Sequence, residues 1–386
     1  MDAAPETIAQ QFALFGCYQC GKCTGGCPVS LKSKLNIRKL VLKGILNRDQ
    51  PGEGEELWDC TTCKTCTLRC PRDIKPMDLV IGMRSARIEE GQIPETLMNA
   101  LESVYKHGNP WGKPKSKRKD WAKGLPENLE IKDFSQGQQA EYLYFVGCTA
   151  SFDPRTQAIA RAMAFNLQQA GIDFGILGNE EQCCGNEIRR IGETGLFEEL
   201  VAANMKRFKT YQIKKVITSC PHGLNVLKNE YPQGSFEVFH TTQVLAQCLA
   251  EGRLTFPKEL NKIITYHDPC SLGKQNGVFD EPRALLKAIP GLTFRELDRS
   301  RERSLCCEGG GGRMWVESSS DKTGRLGQTR VRDAVELGAE ILVTACPLCI
   351  LTLEDAVKTT GLEGSLQIMD ISELLASALG SADERT

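Results

Sequence analysis

The sequence has no long hydrophobic run, no excess of charge of one sign and no glycine fingerprint of a nucleotide-binding fold. No stretch approaches the roughly 18 apolar residues of a membrane-spanning helix, and residues 1–8 have neither the basic segment nor the apolar core of a signal peptide. The 48 Lys and Arg residues balance 49 Asp and Glu residues, so no global field favours nucleic acid. These absences predict a cytoplasmic protein without a transmembrane segment or a nucleic-acid partner, which depends on other proteins for a flavin or nicotinamide.

Cysteine, in contrast, is abundant, with 18 among 386 residues. A disulfide scaffold is typical of small secreted domains, whereas this chain is long and spaces its cysteines as metal ligands. We therefore expect thiolates that bind metal. Only Cys248 lies outside every motif, in an apolar stretch at 241–250 that is typical of a helix. It is predicted to be a plain core residue, because a free cysteine packs as a small hydrophobe.

Two cysteine runs near the amino terminus have the spacing of bacterial ferredoxins: three cysteines at intervals of three residues, a fourth four residues on, and then a proline. Three closely spaced thiolates let a tight loop hold three irons of a 4Fe-4S cubane. The fourth reaches the other cluster, because the proline turns the chain away. The spacing therefore predicts crossed ligation. Cluster one takes Cys17, Cys20, Cys23 and Cys70, and cluster two takes Cys60, Cys63, Cys66 and Cys27.

The structural alternative for these runs is a pair of zinc sites, since four thiolates also suit tetrahedral zinc. Zinc ligands usually come as two separated pairs, however, and eight cysteines in this repeated arrangement favour iron-sulfur clusters. Glycines at positions 16, 21, 25 and 26 would also let backbone N–H groups approach the cluster sulfides.

The chain divides into three folded units and a linker. Residues 1–105 contain both runs and an amphipathic stretch at 35–46, which predicts a small helical ferredoxin-like domain. Residues 106–140, rich in glycine, proline and lysine, predict a solvated linker. From residue 141, short β-rich runs alternate with helical stretches, which favours α/β domains with mainly parallel sheets. The predicted strands are Tyr142 to Val146, Phe174 to Leu177, Lys215 to Thr218, Lys262 to Tyr266, Phe294 to Leu297 and Ile341 to Thr344, with a helix at Arg325 to Leu337.

The carboxy-terminal half repeats one cysteine pattern, at 141–261 and at 262–386, which indicates an internal duplication. Each copy has a single cysteine, a cysteine pair 35 or 36 residues later, and a last group that follows the pair by 36 or 39 residues. The single and last cysteines follow predicted strands, and ligands collect at the carboxyl ends of strands in open α/β sheets. Each copy should therefore gather its thiols at one sheet edge. The first repeat has Cys148, Cys183, Cys184 and Cys220, and the second has Cys270, Cys306, Cys307, Cys346 and Cys349.

With these motifs, and with the runs Gly-Asn-Pro-Trp-Gly at 108–112 and Tyr-His-Asp-Pro-Cys at 266–270, nearly the whole chain resembles the heterodisulfide reductase family. The two repeats resemble its cysteine-rich CCG domains, and the amino-terminal unit resembles its small ferredoxin subunit. The order of units is similar to the fused catalytic subunit and to iron-sulfur subunits of glycolate, lactate and glycerol-3-phosphate oxidation systems. The resemblance implies a noncubane 4Fe-4S cluster, two fused iron-sulfur units, on the five cysteines of the second repeat.

The chain departs from this family pattern in both repeats. In the first repeat Gly223 stands where the second has Cys349. The four remaining thiols suit an ordinary cubane or a zinc ion, with His222 as an alternative ligand, or they are relics of a degenerate site. In the second repeat Glu308 replaces the glycine of the motif, although glycines follow at 309–312. That run lacks the ending of a phosphate loop, so we expect backbone packed close to the cluster.

Two functions fit these sites. In the first, electrons from partner subunits pass through both cubanes to the second-repeat cluster, the active site, which reduces a disulfide or oxidises a thiol. His267 then either relays a proton together with Asp268 or only positions a ligand. In the second, the chain is an electron conduit between a flavin-bearing oxidoreductase subunit and a quinone-linked membrane subunit, held at the membrane surface through its partner. A zinc-stabilised interaction protein fits the cysteine count but not the ferredoxin spacing.

Overall fold

The computed structural model describes residues 7–46, 54–126, 129–316 and 324–381 of the chain. Its amino-terminal unit is helical, and the helix at 37–46 buries Ile37, Leu40 and Val41 as the amphipathic pattern predicts. Four of the predicted cluster ligands lie in the core of this unit together with its apolar side chains. The helices of the unit are α1 (Ile8–Gln11), α2 (Lys22–Gly25), α3 (Ile37–Leu46), α4 (Thr65–Leu68), α5 (Pro76–Glu89) and α6 (Glu95–His107).

The first repeat is a five-stranded parallel sheet in the order β1-β3-β2-β4-β5, with helices as connections. Its inner strands are buried on both faces, which is why they have continuous apolar runs. The strands are β1 (Lys132–Asp133), β2 (Tyr142–Tyr144), β3 (Phe174–Ile176), β4 (Lys215–Thr218) and β5 (Glu237–His240). The helices are α7 (Cys148–Phe152), α8 (Gln157–Gln169), α9 (Asn186–Ile191), α10 (Thr194–Thr210), α11 (Pro221–Asn229) and α12 (Thr241–Ala250).

The second repeat is a four-stranded parallel sheet in the order β7-β6-β8-β9. This order matches β3-β2-β4-β5 of the first repeat, so the two sheets differ only by the extra edge strand β1. The strands are β6 (Ile263–Tyr266), β7 (Thr293–Phe294), β8 (Ile341–Thr344) and β9 (Gln367–Asp370). The helices are α13 (Gly273–Asn276), α14 (Asp280–Ala288), α15 (Leu326–Glu336), α16 (Pro347–Thr360) and α17 (Ile371–Ala378).

The two repeats share one apolar core. Helix α8 contacts α17 and helix α12 contacts α14, so the two contacts are equivalent when the repeats are exchanged. Across the first contact, the Asn166 amide donates to the carbonyl of Ser372 at 2.8 Å. Arg155 forms ion pairs with Glu354 and Glu373 at 2.5 and 2.7 Å. The repeats are therefore halves of one packed body.

The predicted strands are present at every position, although β7 covers Thr293–Phe294 rather than the predicted 294–297. The helix predicted at 325–337 is α15, and Cys248 is fully buried in α12 as predicted. Strands β1, β5 and β9 were not predicted. Each is an edge strand of two or four residues in which polar residues stand beside the few apolar ones, so the local sequence has little β signal.

The described parts of the stretch 106–140, which was predicted to be a solvated linker, pack against the first sheet instead. They contribute β1, and Trp121 and Phe134 are only 1% and 2% exposed. Arg118, from the basic run, is buried as well. The prediction of solvation was wrong because irregularly spaced apolar residues show no periodicity, even though a neighbouring sheet edge covers them. The domain boundaries themselves stay predictions.

Candidate iron-sulfur sites

The two ferredoxin-type loops share an unusual backbone. The angle φ is positive, between +50° and +78°, at Gln19 and Gly21 in the first loop and at the equivalent Thr62 and Lys64 in the second. Residues other than glycine rarely adopt this left-handed conformation. In the second loop it brings the N–H of Thr62 to 3.4 Å from the Sγ of Cys60. Such N–H donors stabilise ligating thiolates, so the loop geometry fits a cubane.

Cys27, the fourth cysteine of the first run, lies among the cysteines of the second run. Burial and the charge of Cys63 raise the pKa of Cys27 to about 12. At the first loop, partial desolvation and the charges of Cys20 and Cys70 raise the pKa of Tyr18, which places Cys70 beside the first run. This geometry is compatible with the predicted crossed ligation.

The two predicted ligand sets differ in depth. The four cysteines assigned to cluster two are all buried, whereas among the four assigned to cluster one Cys20 is exposed and the others are half-buried. A group bound at the first set would therefore lie at the protein surface, and a group bound at the second set would lie inside.

The second repeat brings its five cysteines together at the carboxyl edge of its sheet. Cys270 follows β6, the adjacent Cys306 and Cys307 come from the loop before α15, and Cys346 caps α16 directly after β8. Cys349 lies in the first turn of the same helix, one turn from Cys346. All five are at most 9% exposed. They define the second-repeat site.

Thiols of the second-repeat site hydrogen-bond one another and the backbone. The Sγ atoms of Cys307 and Cys349 are 3.2 Å apart. The N–H groups of Glu308 and Gly309 donate to the Sγ atoms of Cys306 and Cys307 at 3.3 and 3.4 Å. Hydrogen bonds from Cys306 and Cys349 lower the pKa of Cys307 well below its ordinary value, and the same contacts raise the pKa of Cys306 and of Cys349. Because a metal-ligating cysteine must be a thiolate, this arrangement suits a bound cluster.

His267 and Asp268, adjacent in sequence, have different surroundings. A ring nitrogen of His267 lies within 4.8 Å of the Sγ atoms of Cys307 and Cys349, in a fully buried group. Asp268 instead forms two hydrogen bonds of 2.7 and 2.9 Å to the guanidinium of Arg283. Asp268 is thus held in a structural ion pair, while His267 contacts the site.

The first repeat also gathers its four cysteines at the carboxyl edge of its sheet. Cys148 begins α7 after β2, Cys183 and Cys184 precede α9, and Cys220 caps α11 after β4. A hydrogen bond with Cys183 and burial raise the pKa of Cys148 well above its ordinary value. We call these four residues the first-repeat site.

Arg118 is the cation of the first-repeat site. Its Nη2 lies 3.2 Å from the Sγ of Cys148, and its Nη1 lies 3.4 Å from Glu181. Glu181 in turn accepts hydrogen bonds from the N–H groups of Val146 and Gly147, immediately before Cys148. A buried guanidinium against a thiol favours the thiolate form, or an anionic group bound in its place.

Space is open in the first repeat where the second has its fifth thiol. A Cβ added to Gly223 would meet Thr218 Oγ1 at 3.4 Å, which is close to ordinary contact. Gly223 also lines a cavity of about 50 Å³ next to the four cysteines. The missing ligand is therefore not replaced by another side chain at this position.

His222, the alternative ligand considered for the first-repeat site, lines the cavity next to its four cysteines but pairs with a carboxylate. Its ring forms an ion pair with Glu187 at 2.8 Å and faces Gly310 of the second repeat. Burial lowers the pKa of His222, but Glu187, together with the charges of Cys346 and Cys270, raises it to about 10. The cysteines that influence this imidazole are thus those of the second-repeat site.

The glycine run 309–312 packs against the cluster-two loop as well as against the second-repeat site. A Cβ added to Gly309 would lie 3.5 Å from the Sγ of Cys307, as the sequence predicted. A Cβ on Gly311, where φ is +69°, would lie only 2.6 Å from the carbonyl oxygen of Cys60. Only glycine permits this close approach between two cysteine loops.

Lys274 bridges the same two loops and is only 5% exposed. Its Nζ donates to Thr65 Oγ1 at 2.9 Å and to the Ser304 carbonyl at 2.6 Å, and Thr65 Oγ1 is 3.3 Å from the Sγ of Cys63. In the part of the chain that the structure describes, Lys274 has no ion pair with a carboxylate. A buried ammonium needs compensating negative charge, which the neighbouring thiolates would supply.

Arg84 joins all three units and is fully buried. Its guanidinium donates to the carbonyls of Leu57 and Cys60 in the ferredoxin-like unit, Arg190 in the first repeat and Gly311 in the second, at 2.7 to 3.1 Å. Sequence reasoning missed Arg84, as it missed Arg118 and Lys274, which are buried beside the cysteine sites. No local pattern marks such residues, because an isolated Lys or Arg is usually solvated.

Within the described ranges, the helices are all too short or too polar to cross a bilayer. The fold and the cysteine sites define an iron-sulfur protein made of a dicluster ferredoxin unit and two cysteine-rich domains. The profile of the 4Fe-4S dicluster domain matches residues 13–74, and that of the cysteine-rich CCG domain matches both 142–228 and 264–354.

The chain belongs to the heterodisulfide reductase family. It is 33% identical to one subunit of the dihydromethanophenazine:CoB–CoM heterodisulfide reductase of Methanosarcina barkeri, over 98% of this chain and 97% of that protein. It is 39% identical over 84% of its length to the EtfAB:quinone oxidoreductase of Syntrophomonas wolfei. It is 34% identical over 97% to the probable iron-sulfur-binding oxidoreductase FadF of Bacillus subtilis. The chain spans 47% and 61% of the lengths of these last two relatives.

Proposed function

We propose that the chain is the iron-sulfur subunit of a heterodisulfide-reductase-like complex, and that its second-repeat site reduces a disulfide or related sulfur substrate, or oxidises a thiol. The observation that carries the proposal is the contact between the cluster-two loop and the second-repeat site. Cys60, Cys63 and Cys66 share one buried cluster of side chains with Cys270 and Cys306. Electrons carried by a cluster bound at the cluster-two cysteines would therefore lie next to the second-repeat site.

In this proposal the chain binds two 4Fe-4S cubanes at the crossed ligand sets and a noncubane 4Fe-4S cluster at the five thiols of the second-repeat site. When bound, these groups supply single electrons, two of which, with two protons, convert one disulfide into two thiols. The protein contributes the N–H groups of Glu308 and Gly309, which stabilise thiolate ligands. It also contributes His267, whose ring nitrogen lies within 4.8 Å of the Sγ atoms of Cys307 and Cys349 and which either relays a proton or positions these ligands.

A second candidate function is the electron conduit. In this reading the chain performs no substrate chemistry and links a flavin-bearing oxidoreductase subunit to a quinone-linked membrane subunit. The name of the Syntrophomonas wolfei relative, an EtfAB:quinone oxidoreductase, favours it, and so does the greater length of that relative. Under both readings we place the chain in the cytoplasm, at the membrane only through a partner. The first-repeat site, with four thiols and Arg118, is proposed to bind a further iron-sulfur cluster or zinc.

One experiment separates the two functions. The reduced, isolated protein is mixed anaerobically with candidate disulfides, and its paramagnetic resonance spectrum is recorded. A new signal that depends on the disulfide is expected from the wild type and is expected to be absent from Cys349→Ser. The matched control is Cys248→Ser, which changes a fully buried cysteine outside every motif.

Reoxidation by partner proteins alone, with no disulfide-dependent signal, would favour the conduit. A turnover assay with an excess of reductant and disulfide, run across a range of pH, tests His267. If His267→Gln leaves turnover and its pH dependence unchanged, the residue has no proton role and only orients ligands.

A further inference from the structure

The predicted cluster-one site lies under an exposed apolar surface. Phe15 and Tyr18, on either side of Cys17, are 68% and 59% exposed, and Leu31 is 66% exposed. Cys20, which lies between Tyr18 and Leu31 in the sequence, is also exposed. Large apolar side chains grouped in this way at a surface mark interaction sites in soluble proteins. Here Phe15 and Tyr18 flank the predicted cluster ligand Cys17 in sequence.

The segments that form this surface are strongly basic, although the chain as a whole is balanced. Residues 7–46 and 64–75 contain ten Lys and Arg residues and one acidic residue, Asp73. The whole chain has 48 basic and 49 acidic residues. The cations are Lys22, Lys32, Lys34, Arg38, Lys39, Lys43, Lys64, Arg69, Arg72 and Lys75.

Three of these arginines lie directly against the cluster-one loop. The stem of Arg38 lies 3.8 Å from the position of a Cβ on Gly21, and the side chain of Arg69 fills the space beside Gly26. Arg72 donates through Nε to the carbonyl of Gly16 at 3.4 Å. No carboxylate of the described ranges forms an ion pair with these three side chains. The charge of these three arginines is therefore left for another molecule.

We propose that this basic face, formed by Phe15, Tyr18, Cys20 and Leu31 together with Arg38, Arg69 and Arg72, docks an acidic redox protein that exchanges single electrons with cluster one. Complementary charge steers such encounters, and an apolar centre with a charged rim fits small, transient electron-transfer complexes. Aromatic and basic residues also suit an anionic membrane. We favour the redox protein because the face is centred on a predicted cluster ligand, where electrons must enter or leave. The inference rests on the proposed function only in requiring that cluster one carries electrons.

Stopped-flow reduction by a flavodoxin hydroquinone, an acidic one-electron donor, tests the inference on the isolated holoprotein. Each step oxidises the hydroquinone to the semiquinone and reduces one cluster by one electron. The wild-type rate is expected to fall about tenfold or more as salt rises from about 0.05 to about 0.5 M, because screening removes the steering. Arg38→Glu/Lys39→Glu, which reverses two exposed cations of α3, is expected to lower the low-salt rate about tenfold. The matched control Lys206→Glu/Lys209→Glu, on exposed positions of α10, should react at the wild-type rate.

A wild-type rate that does not depend on salt would overturn the inference, and so would an unchanged rate in the α3 variant. The inference would also be overturned if the α3 variant lost binding to phosphatidylglycerol vesicles but kept the wild-type rate with flavodoxin, because the face would then bind lipid. If the α3 variant does not bind iron, the salt dependence of the wild type decides alone. Failure of the proposed disulfide chemistry is distinguishable, since it removes the disulfide-dependent signal and leaves the flavodoxin rate unchanged.

Discussion

The two cysteine-rich repeats have the same strand order but different neighbours. In the second repeat, the thiols touch the cluster-two loop through Gly311 and Lys274. In the first repeat, the thiols adjoin a cavity and the guanidinium of Arg118, and Gly223 stands at one ligand position. Burial and the charge of Cys346 raise the pKa of Cys220, so the two sites lie near each other. The comparison teaches that a shared fold brings thiols to a sheet edge in both repeats, whereas the packing of the ferredoxin-like unit decides which edge adjoins the cluster-two loop.

The largest expected difference between the repeats is in metal content. Cys346→Ser is expected to remove the centre of the second-repeat site and with it iron and sulfide, because Cys346 is fully buried among the other four thiols. Cys220→Ser is expected to remove only the metal of the first-repeat site. Iron, sulfide and zinc are counted in anaerobic preparations of both variants and the wild type.

The element lost with Cys220→Ser identifies the first occupant: zinc alone, or iron with sulfide. If Cys220→Ser loses neither, the proposal of a metal in the first repeat is wrong. Cys248→Ser, with wild-type counts expected, controls for nonspecific loss of clusters.

A smaller difference is expected in the pH dependence of stability, through the residues that cap the last helix of each repeat. His240 caps α12 and Asp370 caps α17, each in a capping box. Burial lowers the pKa of His240 to about 4 and raises the pKa of Asp370 to about 7.

The two caps therefore have opposite signs. In the unfolded chain His240 gains its proton near pH 6.5, whereas in the folded chain it stays neutral down to about pH 4. The contribution of His240 to the free energy of unfolding is therefore lost as the pH falls from 6.5 towards 4. Asp370 keeps its proton in the folded chain up to about pH 7, although the ordinary pKa of an aspartate is 3.8. The contribution of Asp370 to the free energy of unfolding is therefore lost as the pH rises from 3.8 through 7.

The free energy of unfolding of the wild type is expected to fall by about 2 kcal/mol between about pH 5 and pH 7 because of Asp370. We expect Asp370→Asn not to show this fall, as measured by urea unfolding at each pH. His240→Asn should instead remove the loss on the acid side. Asp355→Asn, which changes an exposed carboxylate of α16, is the control and should follow the wild type. Equal pH profiles for wild type and Asp370→Asn would contradict the assigned burial effect.

The smallest expected effect is on reduction potentials, and it distinguishes Lys274 from Arg118. Lys274→Met should lower the reduction potentials of cluster two and of the second-repeat centre by at least about 60 mV, a tenfold change in a one-electron equilibrium, because a positive charge stabilises the reduced form. Arg118→Met should leave these potentials unchanged and affect only the first-repeat site. Redox titration followed by paramagnetic resonance measures both.

Lys262→Met, which removes an exposed lysine paired with Glu340, is the control for Lys274→Met. If Lys274→Met changes no potential while its iron content is normal, Lys274 only packs the two loops together. If Arg118→Met shifts the same potentials, the charge of Arg118 also reaches the second-repeat site and the expected contrast between Arg118 and Lys274 is wrong.

Much of the fold could be predicted from the sequence, because its signals are local. The ferredoxin spacing identified the dicluster unit, and apolar runs such as Lys215 to Thr218 and Ile341 to Thr344 marked the positions where buried parallel strands occur. The edge strands β1, β5 and β9 escaped prediction because half-exposed edges need few apolar residues. The prediction of a solvated linker was wrong for a related reason, because Trp121 is covered by residues far away in the sequence.

By itself, the sequence determined the inventory of ligands: two ferredoxin-type runs, five thiols in one repeat, and four in the other with Gly223 in the fifth position. These follow from spacing within single loops, which a chain encodes locally. Only the tertiary structure decided that Lys274 reaches Thr65, 209 residues away, and that Arg84 reaches Gly311, 227 residues away. Such contacts bury charge between units, and burial depends on how the units pack rather than on the residues that flank each cation.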